Sequence, residues 1–387
     1  MKNYDVIIVG AGAAGLAAAG QTVGAGRRTL ICDMGVSPAR KVRVSGGGRC
    51  NFTNLAAARD RYFGENPDFV RSALTQVTPA DILGWATNHH LTPIEKGPGQ
   101  YFCADGAPAV IDALRADARG ADLLLNATAD AIEFVDDKFI LRTARGDFGA
   151  PRVIIATGGL SYANLGVSDF GHRVAKQFGH KIVSPRPALV AINTNAFAAD
   201  LAGISLPARI RMGRMTVTDS LLFTHNGIGG PAAYRASLFD FDDDMHIDLC
   251  PGVDIFQLLR TAKQTDGRKT LTAYLSQKLP ARFVKWLIGP DTRNLADWRD
   301  TDLRAIALSI NDFVIDRARI NRGSMNGAEV IRGGVSTDQI SSKTMESKLR
   351  PGLFFAGEVM DIAGDLGGFN LHWAWASGRV AGRNAGQ

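Results

Sequence analysis

The chain opens with an apolar strand, Val6-Ile7-Ile8-Val9, that runs directly into Gly10-Ala11-Gly12-Ala13-Ala14-Gly15. No other feature limits the fold so strongly. Four consecutive apolar residues suit a strand buried on both faces, as in a parallel sheet covered by helices. The GxGxxG that follows opens a helix over about 13–25, and Arg28–Asp33 reads as the next strand, which completes a βαβ unit. In that setting Gly10 permits the turn, Gly12 lets the backbone approach a pyrophosphate, and Gly15 lets helix and strand pack closely. The helix N-terminus faces phosphate charge. Asp33 ends the second strand, where an acid can accept hydrogen bonds from a ribose diol.

The far end of the chain carries a second nucleotide-type turn. A buried strand in Gly352-Leu353-Phe354-Phe355-Ala356 leads to Gly357-Glu358, and Gly367-Gly368-Phe369-Asn370 precedes an apolar helix over 371–384. Two such turns at opposite ends suggest one long cofactor gripped by both, which favours FAD over NAD. Glu358 is placed to bind ribityl hydroxyls. The first-turn amides of the last helix have no partner within the helix. Aimed at the N1–C2=O edge of a flavin, these first-turn amides would stabilise the negative charge of the reduced ring.

Between these ends, Lys41-Val42-Arg43-Val44-Ser45-Gly46-Gly47-Gly48-Arg49-Cys50-Asn51 forms a donor-rich loop. Three consecutive glycines fit neither helix nor ordinary strand without cost. They expose amides and admit a flat ring at close range, while Lys41 and Arg49 can offset pyrophosphate charge and Ser45 and Asn51 can donate to ring carbonyls. Ala156-Thr157-Gly158-Gly159 ends a further strand, where ligands sit in open α/β sheets. Ala129, just past the expected buried strand Leu123–Asn126, has the small size wanted beside an adenine.

A length of 387 residues calls for two or three domains. The economical division is a discontinuous α/β domain over 1–186 and 345–387, a β-rich insertion over 187–253 and 317–344, and a helical insert over 254–316. The net charge of +6 gives a mild positive field, with basic residues scattered apart from Arg209-Ile210-Arg211-Met212-Gly213-Arg214. That alternation reads as one face of a strand, so a nucleic-acid partner is not favoured. Four cysteines with no CxxC pair exclude a thiol relay and a zinc site, no metal is expected, and free thiols suit a reducing cytoplasm. No apolar run reaches the roughly 18 residues of a membrane span.

Several motifs carry a resemblance: SGGGRCNxTN from Ser45, ATGG from Ala156, Leu222-Phe223-Thr224-His225-Asn226-Gly227-Ile228-Gly229-Gly230-Pro231-Ala232, TMESK over Thr344–Lys348, and GLFFAGEVMDIAGDLGGFN. The set resembles the aminoacetone-oxidase-type FAD-binding family, which includes a reductase of bile-acid intermediates, and is more distantly similar to fumarate-reductase-type flavoproteins. The resemblance implies an α/β glutathione-reductase-type FAD-binding (Rossmann-like) domain with an inserted β-barrel and a small helical insert. It implies FAD contacts at Gly10, Gly12, Ala14, Gly15, Asp33, Lys41, Ser45, Gly46, Gly47, Ala129, Thr157, Gly158, Glu358, Gly368, Phe369 and Asn370. Asp33 stands where relatives usually carry Glu, and Gly229-Gly230-Pro231 where Ser-Gly-Pro is usual.

A flavin does the difficult chemistry, and the protein orients the substrate against N5. A second GxGxxG after a strand is missing, so NAD(P)H would act as a transient reductant without a domain of its own. The leading expectation is an FAD-dependent oxidoreductase of a small organic substrate, either amine oxidase-like or alkene reductase-like. The alternative is a flavin-binding protein in RNA modification or redox sensing with little turnover alone. A plain NAD dehydrogenase is disfavoured by the C-terminal motif. No catalytic group is assigned; His225 and His372 are the candidates for acid–base work.

Overall fold

The computed structural model describes all residues from Met1 to Gln387. The chain divides into two compact units, Met1–Pro187 with Glu329–Gln387, and Ala188–Ala328. The first unit is built on a five-stranded parallel sheet in the order Leu353–Phe355, Arg152–Ile155, Val6–Val9, Thr29–Cys32, Asp122–Leu124. The four strands from Leu353–Phe355 to Thr29–Cys32 are Val, Ile, Leu and Phe-rich because helices and a second sheet cover both faces, and nearly every residue in them is buried. The strand expected to be buried at Leu123–Asn126 spans Asp122–Leu124 and is exposed at Asp122 and Leu123, since it forms the sheet's edge. A hairpin of Ala129–Val135 and Lys138–Thr143 is extended by Gly146–Ala150 into a separate antiparallel sheet.

The two ends of the chain meet through small residues. The first helix, Ala13–Gly24, and the last, Phe369–Ala385, pack backbone to backbone. A Cβ added at Gly378 would lie 2.3 Å from the Ala14 carbonyl oxygen, and one at Gly382 2.3 Å from that of Ala18. Any side chain there would prise the helices apart. The two helices run parallel, so the middle of the last helix lies beside the phosphate-type turn and its N-terminus lies about 14 Å further on.

The second unit carries a seven-stranded antiparallel sheet. Its two outermost strands in ladder order, Phe313–Ile315 and Ile320–Arg322, are consecutive in the chain. A flat sheet of this size would hold its edges about 29 Å apart at 4.8 Å per strand. The link Asp316–Arg319 spans at most about 17 Å. The sheet therefore curls until its edges approach, which is the expected barrel form. Helices between Ile255 and Asn311 interrupt it, and Phe197, Phe223, Phe283 and Phe313 form an aromatic cluster in its core.

Residues 329–344, assigned from sequence to the insertion, cluster instead with the first unit. Val330–Val335 pairs with Ile182–Ala188 there. The TMESK motif is a structural edge: the Met345 carbonyl accepts from Phe355 N–H, and Ser347 N–H donates to the Leu353 carbonyl, which occupies one side of the outer parallel strand.

Candidate functional site

The site grows from the carboxyl ends of the parallel strands. Gly10 has φ +109°, and a Cβ on it would lie 2.2 Å from the Ala156 carbonyl oxygen. A Cβ on Gly15 would meet the Gly10 carbonyl oxygen at 1.8 Å. Both positions are filled by backbone. Gly12 differs, because nothing lies within 4 Å of where its Cβ would be. Its φ of −79° is ordinary, so space in front of the helix, not backbone strain, is what glycine preserves here. Gly47, Gly48 and Gly158 likewise face open space.

A cleft of about 450 Å³, its open mouth included, lies beside this turn. Asp33, Ala129 and Thr157 line it, as the sequence suggests, together with Met34, Arg40 and Phe170, which sequence reading passed over. Asp33 is partly committed. Its Oδ2 accepts from Ala11 N–H at 2.7 Å and its Oδ1 from Gly35 N–H at 2.6 Å. The short acid thus ties the phosphate turn to its own strand, with lone pairs left for a hydroxyl. Arg40 reaches across from Asp33 to the carbonyls of Leu165 and Gly166. No regular spacing signals that role, since the carbonyls it reaches lie 125 and 126 residues away.

Lys41 and Glu358 are joined directly. Lys41 Nζ donates to Glu358 Oε2 at 2.6 Å and to Ser161 Oγ at 2.8 Å. Glu358 Oε1 accepts from Ile331 N–H at 3.1 Å. The turn that carries Glu358 is clamped from two sides. Gly357 sits against Ala14, with 2.9 Å between a built Cβ and the Ala14 Cβ, and its N–H donates to Ser377 Oγ at 2.9 Å in the last helix. Trp373 Nε1 donates to the Gly357 carbonyl at 3.3 Å. The phosphate-type turn and the acidic turn are therefore neighbours in one unit.

Ser45 through Gly48 forms a single tight turn in which Gly46 and Gly47 have φ +57° and +65°. Ser45 Oγ donates to the Val42 carbonyl, which leaves it as an acceptor. Cys50 is sealed behind this turn, and burial pushes its thiol up to about 12, so it is no nucleophile. Gly368, at φ +96°, starts the last helix, and a Cβ there would strike the Thr53 carbonyl at 2.7 Å. Asn370 departs from expectation in one respect. Its side chain is spent inside the protein, with Oδ1 accepting from Gly364 N–H at 2.7 Å and Nδ2 donating to the Gly364 carbonyl at 2.9 Å. Only its main-chain amide is left to face a ligand. Phe369 is buried against Tyr62, so it too offers main chain.

The two histidine candidates separate sharply. His225 is exposed at the tip of the hairpin between Met215–Thr224 and Gly227–Gly229. His372 is fully buried, with Nδ1 2.9 Å from Thr53 Oγ1, and no substrate reaches it. This corrects the acid–base expectation for His372. The apolar run in which it sits is buried on every side, so a position in the first turn gives it no exposure. Burial holds its pKa down to about 4, against 6.5 for a free imidazole.

That depression has a stability consequence. The folded chain keeps His372 neutral, whereas the unfolded chain protonates it near pH 6.5. The stabilisation is therefore complete above pH 6.5 and is lost as pH falls towards 4. Burial lowers His172 and His180 in the same direction. At pH 5 the loss from His372 comes to about 2 kcal/mol at 1.36 kcal/mol per pH unit. Urea unfolding at pH 7 and pH 5 should show it, and His372→Gln should shrink the difference by a similar amount. An identical free energy at both pH values would contradict the burial of this ring in a neutral state.

The residues present fit a long dinucleotide. Gly12 leaves unfilled space before a helix N-terminus, a cleft with an acid and small side chains adjoins it, and a lysine, an acid and a second helix N-terminus follow in the same unit. Sheet, turn and cleft define a Rossmann-like FAD-binding oxidoreductase. Residues 4–384 match the family described as the HI0933-like protein Rossmann domain, and the chain belongs to that family. The resemblance read from the motifs is thereby confirmed. The chain is 36% identical to a ribosomal RNA dihydrouridine synthase of Escherichia coli (strain K12), over 97% of this chain and 96% of the relative. It is 28% identical to a 3-dehydro-bile acid delta(4,6)-reductase of Clostridium scindens, over 98% of each. Among solved structures, a 3-ketosteroid delta1-dehydrogenase from Sterolibacterium denitrificans is similar at TM-score 0.53 and 13% identity, covering 100% of both chains. That likeness bears on the fold alone. No helix is long and apolar enough to cross a membrane, and no group of three or more histidines, cysteines and acids is placed to hold a metal ion.

Proposed function

We propose that this chain reduces a uridine base in ribosomal RNA to dihydrouridine, with FAD held in the cleft of the first unit. The observation that carries the reading is end-to-end similarity at 36% identity to a relative named for that reaction. It joins two expectations that the sequence analysis kept apart, the reductase of an activated alkene and the role in RNA modification. The C5=C6 bond of uracil is conjugated to a carbonyl and accepts hydride as such alkenes do. The bile-acid relative is also named a reductase, which favours reduction over amine oxidation. A nucleic-acid partner, disfavoured on charge alone, becomes the substrate, and a cytoplasmic location follows.

FAD, when bound, would supply hydride chemistry, with NAD(P)H as its proposed reductant. The chain's own groups do the rest. The amides at Gly12, Ala14 and the first helix N-terminus hold the pyrophosphate, with Gly10 and Gly15 keeping that turn closed. Asp33 accepts from the ribose, and Ala129 and Thr157 flank the adenosine end. Lys41 offsets phosphate charge while fixing Glu358 to receive ribityl hydroxyls. Ser45, Gly46, Gly47 and Gly158 shape the wall at the ring. The main-chain amides after Gly368, at Phe369 and Asn370, favour negative charge at the ring's carbonyl edge. The second hydrogen added to uracil arrives as a proton from a general acid.

Lys41→Gln removes a charge and leaves Glu358 without its ion partner. FAD affinity should drop roughly tenfold or more, an energy of about 1.4 kcal/mol, and the deficit should narrow as salt rises. Equal FAD affinity in the variant, by fluorescence titration, would remove Lys41 from the site. The reaction is tested by incubating the purified protein with FAD, NADPH or NADH, and protein-free ribosomal RNA from cells lacking this gene. Nucleoside mass spectrometry should then show uridine converted to a species two mass units heavier. RNA left unmodified while a small primary amine drives oxygen consumption would refute the proposal.

A further inference from the structure

The chain's excess charge is concentrated in one place. Between Ile255 and Pro290, Arg260, Lys263, Arg268, Lys269, Lys278, Arg282 and Lys285 stand against one acid, Asp266. That surplus equals the formal net charge of the whole protein, +6, so everything outside this segment is neutral on balance. The sequence reading, drawn to Arg209–Arg214, missed it because the cations are spaced along helices and do not form a run.

The structure separates these cations by what they already do. Lys263 is tied to Asp300 and the Trp298 carbonyl, Arg260 lies near Asp300, and Lys269 pairs with Asp266. Arg268, Lys278 and Lys285 are exposed and have no partner in the fold. Arg282 is exposed and bonds only to the carbonyls of Leu201 and Ala202, so its charge is unopposed. Arg282 and Lys285 stand three apart on the helix Ala281–Ile288, whose other side is anchored by the buried Phe283 and Val284. Lys278 lies in the turn that enters this helix, after Leu271–Leu275. A helix with a firmly buried apolar side and two unopposed cations exposed on it, with a third in the turn before it, is a surface for a polyanion.

We propose that the unopposed cations of this helical segment, Arg268, Lys278, Arg282 and Lys285, dock the phosphate backbone of the ribosomal RNA substrate. The inference rests on the reading of that RNA as the substrate and adds to it the surface that grips it. Side chains of this kind contact phosphates without reading bases, so they hold a large folded RNA while a single base is presented elsewhere. Their contribution should be ionic and strongly dependent on salt.

The test uses the full-length flavin-loaded protein and protein-free ribosomal RNA, with filter binding at potassium chloride from 50 to 200 mM (roughly the range over which such contacts weaken). The triple variant R268Q/K278Q/K285Q alters only side chains without partners, so it should fold as the wild type does. Its flavin content and its rate of flavin reduction by NAD(P)H should be unchanged. Its RNA affinity should fall about 30-fold at low salt, and the slope of log affinity against log salt should flatten by about 2, near 0.7 per lost phosphate contact. Adding R282Q should flatten it further. A triple variant that binds with wild-type affinity and slope would overturn the docking surface while leaving the proposed reaction intact. A wild-type protein that ignores ribosomal RNA, or adsorbs to phosphatidylserine vesicles in its place, would overturn both.

Discussion

Gly12→Val will give a protein that folds as well as the wild type and carries no flavin. Nothing in the protein lies within 4 Å of a Cβ at Gly12, and the backbone there has φ −79°, which valine adopts freely. The folded chain therefore has no objection to the change. The branched side chain projects into space at the N-terminus of the first helix, where the pyrophosphate must come to hydrogen-bond distance of the amides. FAD affinity should fall at least about a hundredfold, or 2.7 kcal/mol, with the thermal midpoint of the flavin-free protein unchanged. Gly15→Val is the informative contrast. Its Cβ would sit 1.8 Å from the Gly10 carbonyl oxygen, so the helix must leave the strand and the protein should fail to fold. If Gly12→Val kept its yellow colour at wild-type stoichiometry, the open space would not be a cofactor site.

Trp373→Ala will cost the most stability of any side-chain truncation in the last helix. The indole is 2% exposed and packs against Tyr62 and Phe69 at ring separations of 6.4 and 6.2 Å. Truncation of a buried Trp typically costs about 3–5 kcal/mol through lost contact and residual cavity. It also removes the donor to the Gly357 carbonyl, which helps fix the turn that carries Glu358. Urea unfolding should therefore show a loss in that range, accompanied by weaker FAD binding. Trp373→Phe keeps most of the apolar contact and drops only the N–H, so it should recover stability and leave a smaller binding defect. A loss below about 1 kcal/mol for alanine would mean that the helix is not clamped as described.

What the sequence revealed and what it hid follow from range. The parallel strands were legible because Val6–Val9, Arg152–Ile155 and Leu353–Phe355 must be apolar on both faces, a pattern contained in a few residues. The phosphate turn was legible because Gly10, Gly12 and Gly15 have three different steric duties within six positions. The last helix was legible from its apolar content, but the burial of His372 within it was not, since one residue's exposure depends on what surrounds all sides of a helix. Residues 317–344 were read as part of the β-rich insertion, yet nothing local says whether Val330–Val335 joins the inserted sheet or pairs with Ile182–Ala188. Lys41 and Glu358 were each picked out, but their direct contact spans 317 residues and has no sequence signature. Asn370 was picked for a ligand and serves Gly364 with its side chain, a short-range bond that glycine-rich sequence conceals.

One measurement tests the central claim most directly. The purified protein, saturated with flavin and desalted, is denatured by heat, and the released cofactor is identified and counted by chromatography. A cofactor held by the phosphate-type turn at one end of the chain and the helix at the other must be the full dinucleotide, so the result expected is one FAD per chain and no FMN. Release of FMN or NAD, or a protein that stays colourless after exposure to FAD, would contradict the account.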